Sequence, residues 1–169
     1  MDGAVDEGQL RDDANIGLNE CACVRQYAQT CFEGLKDYTT EDGHIVTVRP
    51  DLNAQRMAAS AQRLEMPVFP EYRFVEAVHK VVEANAAYVP PYGSGATLYI
   101  RPYMFGSNAV IGVKTAEEYQ FRVFTTPVGP YFKGGAKPST IRVCDYDRAD
   151  PHGTGQVLAF RQTARHERH

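Results

Sequence analysis

The sequence predicts an α+β fold, a two-layer α/β sandwich in which helices cover one face of a mainly antiparallel sheet. Three observations support this prediction. The predicted elements follow the order two strands, two helices and three strands, the helical segments show one apolar face, and the strands alternate. Runs of strands and helices, rather than strict alternation, favour an antiparallel sheet with its helices on one side. A length of 169 residues indicates a single domain.

The first two strands are predicted on either side of a turn at 41–43. The turn has the sequence "EDG", and Asp-Gly readily takes the positive φ of a hairpin turn. The aromatic segment before it, "CACVRQYAQTCFEGLKDYTT", supplies one strand, and "HIVTVRP" supplies the next and ends at Pro50. The candidates for burial in the first segment are Val24, Tyr27, Cys31, Phe32, Leu35 and Tyr38.

Two helices are predicted after Pro50. Asp51 is a plausible N-cap of the first, in which Met57, Ala61 and Leu64 recur at helical spacing. Pro67 and Pro70 end this helix and begin the next. The second helix has an apolar face and a charged one, which indicates that it docks on a flat surface. Its apolar face is Phe74, Val78, Val81 and Val82, and its charged residues are Glu76, Lys80 and Glu83.

Three later segments complete the predicted sheet. After the loop "VPPYGSG", the sequences "ATLYIRPYMFG" and "EYQFRVFTTPVG" alternate as strands do, and "STIRVCDYD" supplies one more strand. Residues 1–16 form a weakly patterned lead-in, with room for one edge strand. Residues 156–169 form a basic tail that differs in character from the domain at 17–155.

Composition excludes several classes of function. The net charge is -3 and the pI is near 5.9, which does not favour a nucleic-acid or anionic-membrane partner. No window has the roughly 18 apolar residues of a membrane span, and the acidic start differs from a signal peptide. The cysteines lack the spacing of a zinc site or a CxxC motif, so we expect no metal and reduced, mostly buried thiols in a cytoplasmic protein. They are Cys21, Cys23, Cys31 and Cys144.

Four local features carry potential chemistry, and each has a simpler interpretation. Glu33-Gly34 interrupts a strand, where a glycine usually marks a bulge or a close approach. Arg56 lies just off the apolar line of a helix, as a solvated charge would. Tyr99 and Arg101 share one face of a strand, a pattern also typical of a half-buried aromatic beside an exposed cation. The loop "PVGPYFKGG" holds an aromatic residue and a lysine, or is only a turn.

Long blocks in consistent order resemble the branched-chain amino acid aminotransferases. The blocks are "QTCFEGLKDYTTEDGHIVTVRPDLNAQRMAASAQRLEMP", "YVPPYGSGATLYIRP", "EYQFRVFTTPVGPYFKGG" and "DYDRADPHGTG". The resemblance runs from about Gly17 to Gly155 and covers only the N-terminal half of a family member. It implies the N-terminal domain of a class IV aminotransferase, with pyridoxal phosphate as cofactor and transamination of Leu, Ile or Val with 2-oxoglutarate. It also implies a homodimer.

The resemblance assigns roles to six residues. It implies that Arg56 binds the cofactor phosphate, which a planar guanidinium can hold in a bidentate fork. It implies that Arg101 is associated with the carboxylate of the glutamate or 2-oxoglutarate partner. Aromatic residues are implied to form the wall around the substrate side chain, as a branched aliphatic group requires. These are Tyr27, Phe32, Tyr99 and Tyr131.

The sequence departs from the family pattern after Gly155. There the family has a lysine that forms the Schiff base with the cofactor and moves a proton, whereas this chain has "QVLAFRQ" and no lysine beyond Lys137. We therefore identify no catalytic residue and expect a truncated or frame-shifted product, inactive alone. Two alternatives stay open: a non-catalytic fragment that associates with aminotransferase subunits, or a related member such as a D-amino acid aminotransferase or aminodeoxychorismate lyase.

Overall fold

The computed structural model describes residues 5–130, together with Pro138 and Thr140. Within this range the chain forms an antiparallel sheet of five strands and three α-helices, as the predicted α+β class requires. The elements are α1 (Cys23–Tyr27), β1 (Thr30–Phe32), β2 (Leu35–Thr39), β3 (Ile45–Thr47), α2 (Pro50–Arg63), α3 (Glu71–Ala84), a 3₁₀ helix at Ala86–Tyr88, β4 (Thr97–Gly106) and β5 (Tyr119–Val128).

The long strand β4 is the centre of the sheet. One of its edges pairs with β5 over its whole length, from Thr97 opposite Val128 to Gly106 opposite Tyr119. Its other edge pairs with β1 and with β2, and β3 continues the sheet beyond β2. The turn between β2 and β3 has Gly43 at φ 85°, as the Asp-Gly sequence predicts.

The interruption at Glu33-Gly34 is not a bulge. Phe32 faces Tyr103 and Leu35 faces Ile100, so β1 and β2 keep one continuous register against β4. The ladder breaks because the facing residue, Pro102, has no N–H to donate. The Glu33 N–H still donates to the Pro102 carbonyl at 2.7 Å. The two short strands therefore act as one.

The core lies between the sheet and helices α2 and α3. Alternate strand residues point toward the helices, and each helix buries one apolar face. Phe69 stacks on Phe121 of β5 with ring centroids 3.8 Å apart. The buried cluster comprises Cys31, Leu35, Ala54, Met57, Ala61, Met66, Phe74, Val78, Val82, Ile100 and Met104. The predicted docking of the second helix is confirmed, with Val81 at the edge of the core.

Several local predictions were wrong. Tyr27 and Tyr38 are 40% and 42% exposed, because Tyr27 closes the unpredicted helix α1 and Tyr38 points away from the helices. Helix α2 begins at Pro50 with Arg49 as N-cap, at φ 48°, and Asp51 makes no cap. Its carboxylate instead accepts hydrogen bonds from the Arg49 guanidinium at 2.7 to 3.1 Å.

Some predictions concern parts of the chain that the structure does not describe. The strand "STIRVCDYD", the tail at 156–169 and Cys144 lie there, so the domain boundaries stay predictions. Among the described residues, no helix is long and apolar enough to cross a membrane. The described part also contains no cluster of three or more His, Cys, Asp or Glu suited to a metal ion.

One buried charge in the sheet has an unusual environment. Asp37 of β2 is fully buried, and neither carboxylate oxygen has a hydrogen-bond partner within the described part of the chain. Burial raises the pKa of Asp37, while the facing Thr47 side chain and the charge of His79 oppose this by smaller amounts. The folded state therefore favours the protonated carboxyl.

We expect Asp37→Asn to stabilise the protein at neutral pH. Because the folded pKa of Asp37 is raised, its protonated form supports folding below the unfolded pKa of about 3.9, and this support is lost as pH rises through the folded pKa. The advantage of the variant in urea unfolding should thus grow from about pH 4 upward and then level off. The exposed Asp12→Asn is the control. An advantage that does not vary with pH would contradict the assignment.

Candidate active site

The face of the sheet opposite the helices carries three of the six predicted site residues, Phe32, Tyr99 and Arg101. Because Cys31, Leu98 and Ile100 point into the core, the residues that alternate with them point to the other face. Phe32 and Arg101 are among these, and we call this surface the open face of the sheet.

Arg101 is held on the open face by two aromatic side chains. Its guanidinium carbon lies 4.3 Å from the centroid of the Phe32 ring and 5.2 Å from that of Tyr99. Its Nε–H donates to the Tyr99 hydroxyl at 3.1 Å. Cation–π contacts and this hydrogen bond fix the guanidinium plane. The four N–H groups of its two terminal nitrogens make no hydrogen bond to a described residue, which leaves a fork suited to a carboxylate.

Gly34 gives Tyr99 the space that this arrangement requires. A Cβ atom at Gly34 would lie 2.5 Å from the Tyr99 hydroxyl oxygen and 3.2 Å from the ring. Next to this contact is an open cavity of about 370 Å³, with a mixed polar and apolar wall. Its lining residues are Gly34, Leu35, Lys36, Tyr38, Val48, Asn53 and Tyr99.

A buried carboxylate joins the strand to helix α2. Glu33 is 0% exposed and accepts hydrogen bonds from Nε and Nη2 of Arg56, at 2.8 and 2.5 Å. Asn53, one turn earlier in the helix, donates its side-chain amide to the same carboxylate at 2.8 Å. The Asn53 amide also lies 3.3 Å from the Gly34 carbonyl oxygen. Helix and strand are thus tied together at the Glu33-Gly34 dipeptide.

Arg56 is both paired and accessible. About half of its side chain, 51%, is exposed, although it holds a fully buried carboxylate. Hydrogen bonding to Glu33 raises the pKa of Arg56 above its already high usual value, so the guanidinium is always charged. The simpler interpretation of a solvated helix charge therefore does not describe this residue. Three of its five N–H groups are not used by Glu33.

The structure brings together four of the six predicted site residues. Arg101 contacts both Phe32 and Tyr99, and Arg56 is linked to this group through Glu33 and the adjoining Gly34. Tyr27 instead accepts a hydrogen bond from the Gly112 N–H at 2.8 Å. Tyr131 lies outside the described residues.

Asn53 was missed in the sequence and Glu33 was noted only as an interruption of the strand, yet both carried a signal. Glu33 occupies the same side of the strand as Cys31 and Leu35, so alternation alone would place a charged residue in the core. Such a group requires an opposite charge. Asn53 and Arg56 are three residues apart and thus neighbours on one helix face.

Sequence relatives agree with the resemblance. No protein-family model matches the chain. It is 52% identical over 156 residues to a branched-chain-amino-acid aminotransferase of Haemophilus influenzae, covering 92% of this chain and 46% of that protein. It is 46% identical to the chloroplastic branched-chain-amino-acid aminotransferase 5 of Arabidopsis thaliana, covering 92% of this chain and 38% of the relative. The chain therefore spans less than half the length of both relatives.

Solved structures of aminotransferases share the fold. The branched-chain aminotransferase of Thermoproteus uzoniensis with norvaline matches 72% of this chain at a TM-score of 0.57, with 22% identity and 38% of that chain covered. The T.th. branched-chain amino acid aminotransferase with pyridoxamine 5'-phosphate matches 71% at a TM-score of 0.59, with 24% identity and 37% covered. These likenesses concern the fold alone.

The antiparallel sheet with its helices on one face is thus an α+β domain with the fold of these aminotransferase structures. Within that class, the predicted resemblance is confirmed: the chain is a homologue of the branched-chain-amino-acid aminotransferases over 92% of its length.

We expect Gly34→Ala to displace Tyr99 and loosen Arg101. The added methyl group would meet the Tyr99 hydroxyl at 2.5 Å, a distance that forces the ring to move. NMR should then show a changed environment for the Arg101 Nε–H and the Tyr99 ring, with a loss of stability of about 1–3 kcal/mol, as overpacking usually costs. Gly17→Ala is the control, since nothing lies within 4 Å of a Cβ there. Unchanged Arg101 and Tyr99 signals would contradict this account.

Proposed function

We propose that this chain supplies two anion-binding arginines of a branched-chain aminotransferase active site. Arg56 binds the phosphate of pyridoxal 5'-phosphate, and Arg101 binds the carboxylate of a dicarboxylic substrate such as 2-oxoglutarate. The observation that carries the proposal is the state of the two guanidinium groups. Each is oriented by protein contacts and has N–H groups that no described residue occupies, which can bind a ligand.

The residues present fit the cofactor in one respect that the structure describes. Arg56 is half exposed, is fixed at two of its five N–H groups, and can offer the others to phosphate oxygens. When bound, pyridoxal phosphate supplies the electron sink for transamination. The protein positions the reactants and places the positive charges of Arg56 and Arg101 beside the cofactor phosphate and the substrate carboxylate.

Substrate selection follows from the open face. Phe32 and Tyr99 offer an apolar wall to a branched aliphatic side chain, and the Arg101 guanidinium that contacts both rings offers a cation to a side-chain carboxylate. One pocket can thus accept both substrates of the reaction.

The proposal separates binding from turnover. Proton transfer in the family requires a lysine, and this sequence has no lysine after Lys137. We propose that residues 1–169 bind the cofactor phosphate, that turnover uses a lysine from outside these residues, and that the chain works in association with aminotransferase subunits. The cytoplasmic location stays a prediction, and the named relatives include chloroplastic proteins.

We expect Arg56→Lys to weaken binding of pyridoxal 5'-phosphate by about tenfold or more. A point charge replaces the bidentate fork, and a charge-assisted hydrogen bond contributes about 1.5–3 kcal/mol. The measurement is a calorimetric titration with pyridoxal 5'-phosphate and with pyridoxal, which lacks the phosphate. Arg49→Lys is the matched control, because Arg49 also pairs with a carboxylate but at the surface.

The titration has two outcomes that would overturn the phosphate assignment. One is a wild-type chain that binds the two compounds equally, and the other is an Arg56→Lys variant that loses both to the same extent. Borohydride reduction of the cofactor mixture, followed by mass spectrometry, tests the statement about turnover. Specific labelling of one lysine would show that the chain does hold a cofactor-binding lysine.

We expect Arg101→Gln to discriminate between substrates. Loss of the guanidinium should weaken 2-oxoglutarate by about tenfold, the effect of about 1.4 kcal/mol, and should affect 4-methyl-2-oxopentanoate much less, because that molecule has no second carboxylate. Binding is measured by ligand-observed NMR. Arg122→Gln, on the neighbouring strand β5, is the control. Equal weakening of both oxo acids would remove Arg101 from the role of side-chain carboxylate receptor.

A further inference from the structure

Arg56 can bind a phosphate in a defined orientation only if something fixes its guanidinium group. We propose that Glu33 is the positioning residue for Arg56 and that Asn53 holds Glu33 in place. This inference rests on the proposed phosphate role of Arg56 and adds to it the group that sets the direction of the remaining N–H donors.

Burial is the first step of the argument. Glu33 is 0% exposed and points from the strand toward α2, so its carboxylate has lost its water and requires protein donors. It has three: Nε and Nη2 of Arg56 and the side-chain amide of Asn53, at distances of 2.5 to 2.8 Å. A carboxylate held by three donors on a rigid strand has little freedom to move.

The geometry of the guanidinium is the second step. Glu33 takes the Nε edge of the group in a bidentate contact, which fixes the plane of the whole fork. Both N–H groups of Nη1 and one of Nη2 remain. These donors belong to a side chain that is 51% accessible, whereas the Glu33 side chain that holds it is 0% accessible. The pair therefore presents donors outward from a buried anchor.

Two opposing effects decide what Glu33 does to an anionic ligand. Its negative charge partly cancels that of Arg56, which by Coulomb's law weakens phosphate binding. Its hydrogen bonds restrict Arg56 in advance, which strengthens binding because less side-chain entropy is lost. Glu33 is buried behind Arg56 and a phosphate would bind on the solvent side, where water screens the repulsion between the two anions, whereas the restriction of Arg56 is not screened. The second effect should therefore win.

The first test is Glu33→Gln, which removes the charge and keeps the size. We expect pyridoxal 5'-phosphate to bind about tenfold more weakly. Loss of a hydrogen-bonding group that orients a metal ligand weakens metal binding by about 10- to 100-fold, and Glu33 orients Arg56 in a similar way. Binding of pyridoxal should not change. Tighter binding of the phosphorylated compound would show that Glu33 only cancels charge, and it would overturn the inference.

A double-mutant cycle separates positioning from a general structural role. If Glu33 acts through Arg56, Glu33→Gln should have no further effect on pyridoxal 5'-phosphate binding in the Arg56→Lys background. Additive effects would overturn the inference while leaving the phosphate role of Arg56 intact. Failure of Arg56→Lys alone to weaken phosphate binding would instead overturn the proposed function. The exposed pair Arg49 and Asp51, tested by Arg49→Lys and Asp51→Asn, is the control cycle.

A variant that keeps the buried carboxylate serves as a control in case Glu33→Gln loses binding only because it unfolds. Asn53→Ala removes one donor to Glu33 and leaves the ion pair itself. We expect it to keep the thermal transition of the wild type more closely than Glu33→Gln and to weaken pyridoxal 5'-phosphate about threefold, without changing pyridoxal. Unchanged affinity in folded Asn53→Ala would overturn the part of the inference that assigns Asn53.

Discussion

The candidate site depends on the register between β4 and the paired strands β1 and β2. Phe32 faces Tyr103 and Leu35 faces Ile100, so the register is the same on both sides of the break. A shift by one residue would exchange the two faces of the strand and would place the Glu33 carboxylate away from α2. The ion pair with the helix and the apolar core thus specify the same register.

With this register, two adjacent residues position one arginine on each face of the sheet. Glu33 points to the helices and holds Arg56, and Gly34 leaves room for the Tyr99 ring that orients Arg101. Neighbouring residues in a strand point in opposite directions, which is why one dipeptide can organise both arginines. The Asn53 amide connects them, since it reaches both the Glu33 carboxylate and the Gly34 carbonyl. The positions of Arg56 on one face and of Arg101 on the other therefore both depend on the Glu33-Gly34 dipeptide.

Patterning alone could predict the fold because burial follows simple periods. The apolar face of α3 and the alternation of β4 recur in the structure as expected. The prediction of Asp51 as N-cap was wrong because its carboxylate pairs with the Arg49 guanidinium. The statistical preference for Asp at N-caps does not include such a contact. The pairing of Glu33 with Arg56 joins residues 23 positions apart, and no period in the sequence reports such a contact. Sequence patterning thus identifies the elements but not the side-chain network between them.

The energetics of the buried pair favour a functional reason for it. Replacing a buried ion pair with well-packed apolar residues is often neutral or stabilising, whereas removing one partner costs about 3–5 kcal/mol. Stability alone therefore gives no reason to keep a carboxylate at the contact between α2 and the sheet. Methionine or leucine would fill that space without desolvating a charge. What an apolar residue cannot do is accept two hydrogen bonds from a half-exposed arginine and direct its other donors outward. A pair of this kind is most useful where Arg56 has a ligand to bind.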